Sequence, residues 1–179
     1  MFDEFLWQLA GSKYEDLFVR TGSIDSNDNF PARVKVVKYL LHPENFFGLG
    51  LLYLNDKMGQ PICLNPPKFS EIDPNSLAAV GFNFDQNNER FEPDSEKVWI
   101  RRERFIFAME TPNKNISACL GYIGGPLTYQ DPSTNLANLF GVARFQNPLV
   151  CNGYTATRIE IQYQEIYHVI GWIQEHASK

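Results

Sequence analysis

Cysteine and histidine are scarce: three of each in 179 residues. The cysteine count is odd, so at least one of Cys63, Cys119 and Cys151 lacks an internal partner. These cysteines are widely spaced and no histidine stands near them at metal-ligand spacing, which argues against a zinc site. No metal and no cofactor is expected. Long apolar runs are missing too. None approaches the roughly 20 residues that a membrane-spanning helix needs, so no membrane partner is expected. Positive charge is in deficit, with 16 Lys and Arg against 21 Asp and Glu and a net charge of -5. No Lys/Arg cluster stands out along the chain, and nucleic acid is therefore excluded as a partner. The densest basic spot, Arg101-Arg102-Glu103-Arg104, is short and interrupted and reads as a solvated strand end. The opening MFDEFLWQLAGSKYEDLF carries acids where a signal peptide carries bases, so this chain shows no export signal of its own.

What remains is ordinary globular composition, 44% hydrophobic and 21% charged, enough for one compact core in one or two lobes. Most of the chain reads as short strands, at 17–21, 33–39, 49–54, 77–84, 97–101, 105–109, 138–145 and 158–163. Clusters of Gly, Pro, Asn and Asp separate them. The polar stretch 85–96 (DQNNERFEPDSE) reads as a surface loop that divides two lobes. The C-terminus changes period. Across 165–177, Ile166, Val169, Ile170 and Ile173 recur on one face of an amphipathic helix, which Trp172 broadens. Residues 1–16 have no strand pattern; Phe2, Phe5, Leu6 and Leu9 suit a turn and a half of helix instead.

One stretch concentrates glycine. In Ala118-Cys119-Leu120-Gly121-Tyr122-Ile123-Gly124-Gly125-Pro126-Leu127, three glycines fall within five positions, implying unusual dihedrals or close backbone approach. The stretch resembles the nucleophile loop of trypsin-like serine proteases, which reads Ala-Cys-x-Gly-Asp-Ser-Gly-Gly-Pro-Leu. Other segments match in the same order. Phe30-Pro31-Ala32-Arg33-Val34 and Leu41-His42-Pro43 are similar to the approach to the catalytic aspartate. Leu51-Leu52-Tyr53-Leu54 and Gln60-Pro61-Ile62-Cys63-Leu64 are similar to the segment after it. Ala79-Val80-Gly81-Phe82 resembles the Gly-Trp-Gly strand. Gly141-Val142-Ala143-Arg144-Phe145 is similar to the strand that lines the substrate cleft, and Trp172-Ile173 to the closing helix. The resemblance covers 17–179, and its narrower likeness is to the arthropod clip-type proteases and their homologues. It implies an all-β fold of two antiparallel β-barrels, the first incomplete, with a C-terminal α-helix. Residues 1–16 are then an atypical N-terminal segment and 17–179 a partial protease domain.

The chemistry of that family needs a serine nucleophile, a histidine base and an aspartate that orients the histidine. At the matching positions stand Ile123 for the serine and Gly48 for the aspartate, and no carboxylate lies from Asn45 through Asn55. The strand that would carry the histidine is absent upstream of Leu17. His42, His168 and His176 match non-catalytic places. Gly121 and Ile123 retain the oxyanion-hole backbone positions, which have no oxyanion to stabilise without a nucleophile. Tyr122 replaces the aspartate that pairs with a newly freed N-terminus on activation. The pocket-floor position is Ser117. Gln146, after the lining aromatic Phe145, replaces a glycine and crowds the pocket. Ser117 and Ser133 are the substitute nucleophiles weighed, but no base accompanies Ser117 and Ser133 sits in a turn where hydroxyls bond backbone.

The resemblance also implies a Cys119–Cys151 disulfide, with Phe107 and Tyr129 at places where further family cysteines are lost. Cys63 matches a cysteine that ties the domain to a preceding segment; a buried free thiol is the competing reading. Disulfides and the sequon at Asn115 (Asn-Ile-Ser), a candidate glycosylation site, suit an oxidising, extracellular compartment. Asp25-Ser26-Asn27-Asp28-Asn29 resembles half a calcium loop but suits Asx turns better. The resulting expectation is a secreted serine protease homologue without catalysis, whose partner is a protein, either an active serine protease or its substrate. Residual hydrolysis by a noncanonical nucleophile, and a truncated non-functional fragment, are the other two readings.

Overall fold

The computed structural model describes residues 17–21, 32–44, 48–57, 61–85, 90–102, 106–110, 124–146 and 160–177. Among the described residues, nine strands are followed by a helix near the C-terminus. A three-stranded antiparallel sheet comes first, from β1 (Phe18–Thr21), β2 (Ala32–Leu41) and β3 (Gly50–Leu54). The remaining strands are β4 (Leu77–Asp85), β5 (Arg90–Arg102), β6 (Ile106–Glu110), β7 (Pro126–Gln130), β8 (Ala137–Gln146) and β9 (Glu160–Glu165). They close a barrel in the order β4-β5-β6-β9-β8-β7, every neighbouring pair antiparallel. Single 3-10 turns at Phe69–Glu71 and Pro74–Ser76 lead into β4. A third at Ile166–His168 leads into helix α1 (Ile170–Ala177). The all-β expectation therefore holds: one closed barrel, one open sheet, one C-terminal helix.

Alternation explains the sheet. On β2, Val34 and Val36 are buried while Arg33 and Lys35 are exposed, the period-two pattern of a half-covered strand. The barrel fills with Leu77, Ala79, Leu127, Phe140, Ala143, Ile161 and Tyr163, and Ile72 and Phe69 join this core from the preceding turn. Burying each large side chain stabilises by about 1.5–3 kcal/mol. Gly141 lets three strands meet: a Cβ there would lie 3.2 Å from both the Gln164 carbonyl and Tyr163 Cβ, and 3.5 Å from Leu127 Cβ. A second cluster, Ile166, Val169 and Ile173, packs with Leu49 and Leu51 of the sheet and with Leu139 and Val142 of the barrel. The terminal helix thus bridges the two units.

Three sequence expectations need correction. Within the stretch 85–96, Asp85 and residues 90–96 are strand rather than a loop between lobes; β4 runs through Asp85, and β5 starts at Arg90 and pairs with β4 from Ala78↔Lys97 to Asp85↔Arg90. The ladder supplies partners for backbone groups whatever the side-chain polarity, so a polar segment extends the barrel hairpin. The division between sheet and barrel falls instead at 55–76. The helix is shorter than 165–177, because β9 continues through Glu165 before the 3-10 turn. Pro126–Gln130, read only as the end of a loop, is strand β7. Its proline stands first in the strand, a position sheets tolerate.

Candidate functional site

Three segments distant in sequence meet at one end of β8. Gly124 donates its N–H to the Ala143 carbonyl at 2.8 Å, and Ala143 donates to the Gly125 carbonyl at 2.9 Å. The end of the glycine-rich stretch is thereby clamped to β8 immediately before Arg144. Arg144 is the extra residue of a β-bulge, because Ala143 pairs with Tyr163 and Phe145 with Gln162. A bulge takes its residue out of the strict in-out alternation and re-aims the side chain. This one reaches the loop between β2 and β3: a Cβ built on Gly48 would lie 3.9 Å from Arg144 Nε. Gly48 has φ +56°, a left-handed conformation that suits glycine.

The electrostatics follow from that placement. Burial lowers the Arg144 pKa from the ordinary arginine value by disfavouring the charged form. Arginine nevertheless remains a cation at neutral pH. A guanidinium has only donors. It can hold an anion or a carbonyl, but it cannot accept a proton from an imidazole or orient one as a carboxylate does. At the position where the protease resemblance places a carboxylate, the chain therefore has no side chain and a neighbouring cation.

Of the residues singled out in the sequence, Asn115, Ser117, Cys119, Gly121, Ile123 and Cys151 lie outside the described residues, as do 1–16 and the Asp25–Asn29 segment. Phe145 and Gln146 belong to β8, paired with Gln162 and Ile161. Cys63 is a free, half-buried thiol whose backbone bridges to Asn138. The histidines have structural settings. His42 accepts the Glu44 N–H at Nδ1 (3.2 Å) and meets Trp172 edge-on at 4.7 Å. His176 donates from Nδ1 to the Trp172 carbonyl at 2.8 Å, and His168 Nε2 lies 3.2 Å from the buried Glu165 carboxylate. Ser133 donates its hydroxyl to the Asp131 carboxylate at 2.7 Å rather than to backbone, with no imidazole in the arrangement. Among the described residues, no group of three His, Cys, Asp or Glu could hold a metal ion, and no helix is long and apolar enough to cross a membrane.

Arg144 is the residue that sequence reasoning missed. Its signal was a lone charge inside the apolar run Leu139–Phe145, which the barrel register turns into a bulge. A separate open groove of about 420 Å³ is lined by Asn65, Pro66, Lys68, Tyr129, Asn138 and Tyr167 among others, and includes none of the residues around Gly48.

No protein-family model matches the chain. Among curated proteins, it is similar to the clotting factor G beta subunit of Tachypleus tridentatus, 24% identical over 207 residues that take in 94% of this chain and 63% of that protein. The chain thus spans less than two thirds of that relative's length. This distant likeness, with the all-β fold, supports a protease-related family at a coarse level.

Proposed function

We propose that the chain is a catalytically inactive homologue of the trypsin-like serine proteases, of the clip-type kind. Residues 17–179 form its protease-like part. It acts as a secreted protein-binding module in an extracellular proteolytic cascade, where its partner is an active serine protease or that protease's substrate. One observation carries the reading: Gly48, at the matched aspartate position, has no side chain and faces Arg144 instead of a histidine. A site needing a carboxylate to orient a base has a donor-only cation beside it. The sequence supports the same conclusion with Ile123 in place of the nucleophile. Ser133 offers no substitute, because its hydroxyl is engaged by Asp131. The likeness to a clotting factor subunit supports the cascade setting.

The test has two parts. Purified chain is treated with a fluorophosphonate that labels activated serines, with trypsin as control. The expected result is no label on the chain; covalent labelling of any serine overturns inactivity. The chain is then added to a reconstituted zymogen cascade. A changed activation rate, without hydrolysis by the chain itself, is the expected result, and an unchanged rate overturns the cascade role.

A further inference from the structure

Strand register assembles a basic strip that the linear sequence conceals. Phe18 pairs with Lys35 and Arg20 with Arg33 across β1 and β2. A bulge between Val36 and Lys38 then shifts the alternation by one, and Lys38 pairs with Tyr53 of β3. Paired residues share a face and alternate residues repeat it, so Arg33, Lys35 and Lys38 lie along one face, opposite the buried Val34 and Val36. All three cations are exposed. Arg33 stands over the Phe18 ring at 5.4 Å and Lys38 over the Tyr53 ring at 4.9 Å, contacts that fix both heads without using their hydrogen-bond donors. Among the described residues none of the three makes an ion pair. Three exposed cations thus gather on one strand of a chain whose net charge is -5.

We propose that this face of the β1–β2–β3 sheet binds an acidic polypeptide segment in extended conformation. Successive cations on one strand face are spaced about 7 Å, the repeat of alternate residues in an extended chain. The strip from Arg33 to Lys38 is about 13 Å long, matching four or five residues. It is too short for the six to ten phosphate contacts typical of nucleic-acid binding. The exposed Phe18 ring gives it an apolar floor that a peptide's side chains can cover, which a sulfated glycan does not need, while Tyr53, bound through its hydroxyl to the His176 carbonyl, marks where the terminal helix bounds the strip. The inference rests on the sheet register alone, so it stands or falls separately from the loss of catalysis.

The experiment uses the whole chain and two fluorescein-labelled dodecapeptides of equal composition, one alternating Glu-Ser and one with six Glu followed by six Ser. Anisotropy at about 50 mM salt, where screening is weak, gives the affinities. The alternating peptide is expected to bind at least about fivefold tighter than the block peptide. Combining Arg33→Gln, Lys35→Gln and Lys38→Gln weakens it at least about tenfold, while Lys68→Gln in the separate groove leaves it unchanged. If the triple variant fails to fold, Lys35→Gln alone still loses about two- to threefold, since no contact holds its ammonium. Four outcomes overturn the proposal: no binding; equal binding of the two peptides; insensitivity to the strip substitutions; or tighter binding of a heparin hexasaccharide or a single-stranded DNA dodecamer through the same residues.

Discussion

At the residue scale, Gly48 shows how an absent side chain defines a site. Its φ of +56° is tolerated by glycine and, at some cost, by asparagine. Among the described residues, only Arg144 Nε approaches an added Cβ, at ordinary contact distance, so the positive φ is the main cost of a substitution. Gly48→Val is expected to cost about 1–2 kcal/mol, and Gly48→Asn less, read from urea denaturation midpoints. Asp131 is the complementary case, a side chain that organises a turn. Its carboxylate accepts from the Ser133 N–H, the Ser133 hydroxyl and the Thr134 hydroxyl, and these bonds hold its pKa below the usual carboxylate value. A depressed folded-state pKa means stability that is present above the unfolded pKa, near pH 4, and lost as pH falls through the lower folded value. Asp131→Asn should therefore be less stable than the parent at pH 7, and the gap should close in acid below pH 4. A gap independent of pH would show that the turn depends on shape rather than charge.

At the scale of elements, a hydrogen bond from β3 helps tie α1 to the sheet. Tyr53 donates its hydroxyl to the His176 carbonyl at 2.7 Å, across 123 residues of sequence. Tyr53→Phe is expected to cost about 1 kcal/mol and to raise amide exchange in α1 more than in the barrel strands. Uniform exchange changes would argue that the helix is held by its apolar face alone. The elements divide by how openly the sequence declared them. The C-terminal apolar face was legible because Ile166, Val169 and Ile173 repeat at helical spacing and all three are buried, although only Ile173 lies within α1. β2 and β8 were legible from β-branched and aromatic runs. β4 was legible as well, but residues 90–96 of β5 were not, since Asp and Asn favour turns locally and only the ladder with β4 makes 90–96 a strand. β7 was hidden behind Gly124-Gly125-Pro126. The departures from the family motif at Gly48 and Ile123 could be read directly, residue against motif. Arg144 and the basic strip could not, because a bulge and a shared face belong to the pairing between strands and not to either strand.

At the scale of the whole molecule, the proposed loss of catalysis involves several positions at once. Restoring single side chains will not return it, because the three catalytic groups act as a unit. The combined variant Gly48→Asp, Tyr122→Asp and Ile123→Ser is expected to remain inactive on an arginine ester, since no histidine base accompanies the restored serine. Measurable ester hydrolysis by that variant, absent from the parent, would mean that another group supplies the base. The bridging cluster around Ile166, Val169 and Ile173 has a further consequence, for biosynthesis. The sheet that it covers is translated before the helix, with about 120 residues between them. At ribosomal rates that interval is about 6–25 s. For that time Leu49 and Leu51 lack the surface they finally pack against. The nascent chain therefore passes through a window in which its earliest strands depend on a chaperone or on dilution to stay unaggregated, and a premature stop before residue 166 would leave that window permanently open.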